Sequence, residues 1–140
     1  MSGWGGVWTK APKGGHLLDR GPAQALQVAS VPFVSHKDCI ERMKKFQYKV
    51  TENMVCAGGN GSDACKGDSG GPLTCARNGA TTALEKERYL CGIVSWGTTC
   101  SRTRNYFYPG IYTDVTKFTG WIRKFMRTWW RHYWSKPLSF

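Results

Sequence analysis

The run Ser62-Asp63-Ala64-Cys65-Lys66-Gly67-Asp68-Ser69-Gly70-Gly71-Pro72 sets Ser69 among glycines and carboxylates. A serine hydroxyl alone is a weak nucleophile. It needs a base to take its proton and hydrogen-bond donors to hold the oxyanion that its attack creates. Gly67, Gly70 and Gly71 let the backbone pass close to a substrate and take turns closed to residues with a Cβ. In such a run the N–H groups of Gly67 and Ser69 can converge on one carbonyl oxygen, so Ser69 is the candidate nucleophile for acyl transfer. A rival pattern is the G-x-S-x-G elbow, which Gly67 to Gly71 also satisfies; it requires a strand before the serine and a helix directly after it. Gly70, Gly71 and Pro72 would open a helix poorly, and Leu73-Thr74-Cys75 reads as extended. A turn without chemistry is the bland alternative for so short a match, and the rest of the chain weighs against it.

The run resembles the active-site segment of the trypsin-like serine endopeptidases, and further segments match that family in its own order. Ser2-Gly3-Trp4-Gly5 resembles the strand end that opens the second half of its catalytic domain. Asn53 to Gly58 resembles the strand leading to the active-site loop. Gly92 to Gly97 resembles the strand on which a peptide substrate lies, Pro109 to Val115 the strand closing the primary pocket, and Trp121-Ile122 part of the terminal helix. The likeness runs from Ser2 to about Phe125. It implies an all-β fold: the C-terminal antiparallel Greek-key β-barrel half of a two-barrel serine protease, with a C-terminal α-helix. Residues 1–125 would form this partial peptidase domain and residues 126–140 a basic aromatic extension.

The resemblance also implies roles. Cleavage would follow Arg or Lys through an acyl-enzyme on Ser69, with the N–H groups of Gly67 and Ser69 as the oxyanion hole. Asp68 would shape that hole by pairing with an amine freed when a precursor is cleaved; that amine belongs to the other half, so Asp68 is expected here without its partner. Asp63 lies six residues before Ser69, where the family carries the acid at the base of its primary pocket. A carboxylate in a narrow, partly dry slot is costly unless a cation neutralises it, which selects Arg or Lys. Gly97 and Gly110 match the two wall positions that must stay small. Ser95, Trp96 and Gly97 resemble the segment whose backbone pairs with an extended peptide. No cofactor or metal is implied. The alternative for Asp63 is an ordinary solvated loop carboxylate.

The family's catalytic histidine and aspartate precede the serine on the first barrel, and no segment here matches them. Three histidines are present, His16 in a Gly/Pro-rich stretch, His36 at a helix start and His132 in the basic tail; none stands where the family places its base. The chain is therefore expected to be the half that holds nucleophile and pocket, a fragment inactive by itself, whose partner is the missing N-terminal half. The competing class is a secreted, non-catalytic binding module that uses the basic tail for attachment. Such a module would not require Ser69, Asp63 and Gly67 together.

Six cysteines in 140 residues suggest disulfides and an oxidising compartment. The family pattern pairs Cys39 with Cys56 and Cys65 with Cys100. Cys75 usually reaches a cysteine just upstream, and Cys91 has no usual counterpart, so Cys75–Cys91 across one hairpin is the substitute. Zinc is a weak alternative without paired C-x-x-C spacing. Met1 to Gly6 shows no basic start or apolar core of a leader, which fits a fragment of a longer secreted protein. Asn60-Gly61-Ser62 is an N-x-S sequon, or equally a tight Asn-Gly turn.

Around these residues the pattern predicts short strands and few helices. Thr9 to Pro22 reads as a surface loop, Gln24 to Val34 as a strand, and Ser35 as the cap of a helix with Asp38 in its first turn. Val50 to Gly58, Leu73 to Cys75 and Tyr89 to Trp96 read as strands, with Asn78-Gly79 a turn and Ala76 to Arg88 a polar excursion. Ser101 to Tyr108 is long for the family and would border the pocket entrance. The net charge is +11, and no acid follows Asp114. Phe118, Trp121, Ile122, Phe125, Trp129 and Tyr133 share one helical face, with Lys117, Arg123, Lys124, Arg127 and Arg131 opposite. Packing of Phe118 to Phe125 on the barrel is expected, at about 3–5 kcal/mol for Trp121→Ala or Phe125→Ala. The tail beyond is either a solvated face or suited to a sulfated glycan or an anionic membrane surface. Nucleic acid is not expected, since charge alone favours it and no reading module is present.

Overall fold

The computed structural model describes residues 1–10, 17–59, 62–76, 88–98 and 108–134, and within these the side chains of 8–10, 17–19 and 130–134 are left aside. Its centre is a five-stranded antiparallel sheet in the order β5-β6-β9-β8-β7, formed by β5 (Phe33–Val34), β6 (Met54–Ala57), β7 (Pro72–Ala76), β8 (Arg88–Trp96) and β9 (Gly110–Asp114). Two short antiparallel ladders flank it, β1 (Ser2–Gly3) with β4 (Gln27–Val28), and β2 (Gly6–Lys10) with β3 (Leu17–Pro22). The fold is all-β with a C-terminal helix, as the sequence implies. Among the described residues the strands form an open sheet with two ladders, not a closed barrel.

Strand alternation divides the core. In β6, Cys56 faces one cluster with Cys39, Met43, Val50 and Ile111, while Ala57 faces another with Leu73, Cys75, Cys91, Val94 and Tyr112. β9 does the same, sending Ile111 to the first cluster and Tyr112 to the second, so this central strand is buried on both faces. Helix α1 (His36–Lys44) covers the first cluster with Cys39 and Met43, and its cap is the expected one: Ser35 Oγ accepts from the Asp38 N–H at 3.1 Å. The disulfides Cys39–Cys56 and Cys75–Cys91 pin α1 to β6 and β7 to β8. Cys65 is also disulfide-bonded; Cys100, expected as its partner, lies outside the described residues, as do Asn60, Asn78-Gly79, His16 and most of the 101–108 loop.

Three expectations need correction. Part of the Thr9–Pro22 loop is strand: Thr9 and Lys10 pair with Leu18 and Leu17 in the β2–β3 ladder, which rests on backbone hydrogen bonds and so carries no apolar period. Gln24–Val34 is two short strands, because Pro32 lacks the N–H that a continuous ladder would need. The third concerns the C-terminal helix α2 (Thr119–Trp134), which follows a 3₁₀ turn (Val115–Phe118) and runs unbroken past residue 125. Val115 is buried and that turn packs on β8, but Phe118 and Ile122 are only half-buried, and Trp121 and Phe125 are 65% and 58% exposed. The helix leaves the sheet after the turn, so its aromatic face does not pack on the core. Trp121→Ala and Phe125→Ala are therefore expected to change stability by less than about 1 kcal/mol, as surface substitutions do. A denaturant melt showing the 3–5 kcal/mol of a buried aromatic would contradict the exposed placement.

Candidate active site

The loop around Ser69 is fixed from two sides. Gly67 and Gly70 have φ of 95° and 82°, the left-handed region that glycine enters without strain, and they turn the chain on either side of Ser69. On one side Gly70 N–H donates to Val94 O and Val94 N–H to Gly71 O, each at 2.9 Å, which sets the loop directly beside the end of β8. On the other, Gly6 N–H donates to Lys66 O at 2.8 Å. Ser69 is exposed, and among the described residues its N–H and that of Gly67 have no acceptor. The loop thus presents one hydroxyl and a pair of free donors to solvent, the components needed to stabilise a developing oxyanion.

No amine meets Asp68 among the described residues, and two backbone N–H groups hold its carboxylate instead. Gly5 N–H donates to its Oδ1 at 2.7 Å and Cys65 N–H to its Oδ2 at 2.9 Å. Charge-assisted bonds of this kind are among the stronger ones available to a loop. A Cβ at Gly3 or Gly5 would collide with this carboxylate. The Gly3-Trp4-Gly5 spacing is therefore what lets the first residues clamp Asp68.

Asp63 sits in a separate recess. Its Oδ1 accepts from the Ala64 N–H at 2.8 Å and lies so near Gly110 that a Cβ there would come within 2.6 Å of it. The Gly97 Cβ position is 4.0 Å from Gly110 Cα, so Gly97 meets Gly110, the residue whose own Cβ position lies against the carboxylate. Gly58 lines the same recess, with its Cβ position 3.7 Å from Asp63 Oδ1. Burial pushes the Asp63 carboxyl up to about 6, against a pull downward from the Ala64 N–H. Tyr112, fully buried, has its hydroxyl held in the protonated form by burial first and then by the nearby Asp63 and Asp68 carboxylates. Tyr112 and Gly58 were not singled out from the sequence. A period of two from Gly110 along β9 places Tyr112 on the same face as Gly110 and was the available signal.

Ser95 and Trp96 end β8 and Gly97 follows it, with Ser95 and Gly97 exposed and Trp96 half-buried. The register shifts between Val94 and Trp96, so the strand bulges at Ser95, beside the loop around Ser69. The Trp96 ring meets Tyr48 edge-on at 5.2 Å, and Phe46 meets Tyr108 at 4.6 Å, so an aromatic group supports this strand end. His36, at the start of α1, is paired with Glu52 at 3.2 Å, and the side chain of His132 is not described.

Glycine-turned serine, free N–H donors and a recessed aspartate beside glycines coincide with what comparison with known proteins finds. The family model for trypsin matches residues 1–122. The chain belongs to the trypsin family. Among curated relatives, the urokinase-type plasminogen activator of Gallus gallus is 45% identical over 102 residues, which cover 71% of this chain and 21% of that protein. The chain thus spans about a fifth of the length of that relative.

Proposed function

We propose that this chain is the nucleophile- and pocket-bearing half of a secreted serine endopeptidase that cleaves peptide bonds after Arg or Lys. The observation that carries the proposal is the separation of two prepared carboxylates around Ser69. Asp68 is consumed in holding the loop, and Asp63 is desolvated and, among the described residues, meets no cation. In this reading the Ser69 hydroxyl attacks the scissile carbonyl, its proton passes to a base supplied by an N-terminal half, and that base returns the proton to the leaving amine as the peptide C–N bond breaks. The N–H groups of Gly67 and Ser69 hold the oxyanion, and water later releases the acyl group from Ser69 Oγ. The Ser95–Gly97 backbone aligns the peptide, and a guanidinium or ammonium reaches Asp63 between Gly97 and Gly110. Protein substrates and an oxidising, extracellular location accord with family membership and with the disulfides.

The test is cleavage of a peptide panel by this chain joined to an upstream barrel that carries the base. Cleavage is expected after Arg and Lys alone, and cleavage at random positions or after apolar residues would sink the specificity assigned to Asp63. The preference should also depend on pH. Below pH about 6 Asp63 carries a proton and the pocket is neutral, so Arg preference over an uncharged side chain should rise as pH rises through that value. A cationic side chain favours the carboxylate, so the midpoint in the complex should lie lower than in the free protein.

A further inference from the structure

We propose that α2 attaches the protein to anionic membrane surfaces, lying in the headgroup layer with its aromatic face toward the acyl chains. Trp121, Phe125, Met126 and Trp129 are 65%, 58%, 62% and 49% exposed, and the Trp121 and Phe125 rings stack at 5.7 Å. At 100° per residue these four fall on one side of the helix, while Arg123, Lys124 and Arg127 fall on the other and are exposed. The sequence from Val115 to Phe140 has no acidic residue to oppose them. A contiguous apolar face of this kind on a soluble surface marks a contact site.

The chemistry of the two faces selects the occupant. A sulfated glycan would use the cations and leave the aromatic rings in water. A protein surface would cover the rings and gain nothing from the cations opposite. A helix in the headgroup plane uses both, since tryptophan rings settle at the boundary of water and hydrocarbon and long cationic side chains reach up to the lipid phosphates. Among the described residues no helix is long and apolar enough to cross a membrane, so the proposed mode is attachment in the interface. The proposal does not rest on the peptidase reading, because Ser69 and Asp63 take no part in it.

The test uses residues 1–140 with phosphatidylserine–phosphatidylcholine vesicles and with phosphatidylcholine vesicles. The chain should sediment with the first and not the second, with tryptophan fluorescence quenched by brominated acyl chains. The triple variant R123E/K124E/R127E should lose at least roughly a hundredfold in partitioning, from the attraction of each cation to an anionic surface. The double variant F125S/W129S changes exposed side chains only; it should lose vesicle binding and brominated-lipid quenching but keep retention on heparin. Equal binding to both vesicle types, or full binding by the triple variant, would overturn the proposal. Full binding by F125S/W129S would overturn it too, assigning the helix to polyanions in general. If binding disappears once an upstream half is joined, the aromatic face belongs to that half and the membrane assignment falls.

Discussion

Residues 1–140 alone are expected to leave an arginyl ester and an arginyl amide uncleaved, while the same residues joined to a base-bearing upstream barrel turn over substrate and lose that turnover on Ser69→Ala. Among the described residues no acceptor is bonded to the N–H groups of Gly67 and Ser69, which leaves them available to an oxyanion, and no hydrogen bond joins the Ser69 hydroxyl to a base. His36, at the start of α1, is engaged with Glu52 at 3.2 Å. The members of a catalytic triad act as a unit, and removing the nucleophile or base from a comparable enzyme costs on the order of 10⁶ in kcat. The expected difference between chain and joined enzyme is therefore of that order, larger than any substitution in the pocket would produce. Robust turnover by residues 1–140 alone, abolished by Ser69→Ala, would overturn the half-enzyme reading and direct attention to His16 or His132 as a local base.

What could be read from the sequence followed from which physical signals a strand or helix carries. β6, β8 and β9 combine apolar alternation with motif residues, and Ser35 with Asp38 announces α1, so these elements and the residues between them were legible. The β2–β3 ladder was not, because Gly6–Lys10 and Leu17–Pro22 are joined through backbone groups that leave no period in side-chain polarity. The face of α2 shows a different limit. Periodicity correctly gathered Trp121, Phe125 and Trp129 on one side, but period says which residues share a face and not what covers it. Asp68 shows a third: its two donors are the backbone N–H groups of Gly5 and Cys65, one of them far away in sequence, and backbone donors are invisible in residue types. Tyr112 was hidden within a strand quoted for its ends, although its distance of two from Gly110 placed it on the same face as that glycine.

Asp63→Ser in the joined enzyme should remove the preference for Arg and Lys while leaving cleavage chemistry at Ser69 intact. Removing one partner of a buried charge pair typically costs about 3–5 kcal/mol, which is roughly two to four orders of magnitude in kcat/KM for a cationic side chain. Uncharged small side chains should lose little, because Ser69, Gly67 and the Ser95–Gly97 segment are untouched. Gly110→Ala separates charge from space: its Cβ would stand 2.6 Å from Asp63 Oδ1, blocking the recess with the carboxylate still present. A second readout needs no catalysis. The folded Asp63 carboxyl ionises at about 6 against an ordinary 3.8, so between those values the folded chain holds more protons than the unfolded one, and stability should fall as pH rises through that window. Asp63→Ser removes the group and should flatten that fall in thermal melts of residues 1–140, with the variant no less stable than the parent at neutral pH. An unchanged Arg preference in the joined variant would refute the pocket assignment. An unchanged pH slope in the isolated chain would show that Asp63 is not the desolvated acid that the recess between Gly58, Gly97 and Gly110 makes it.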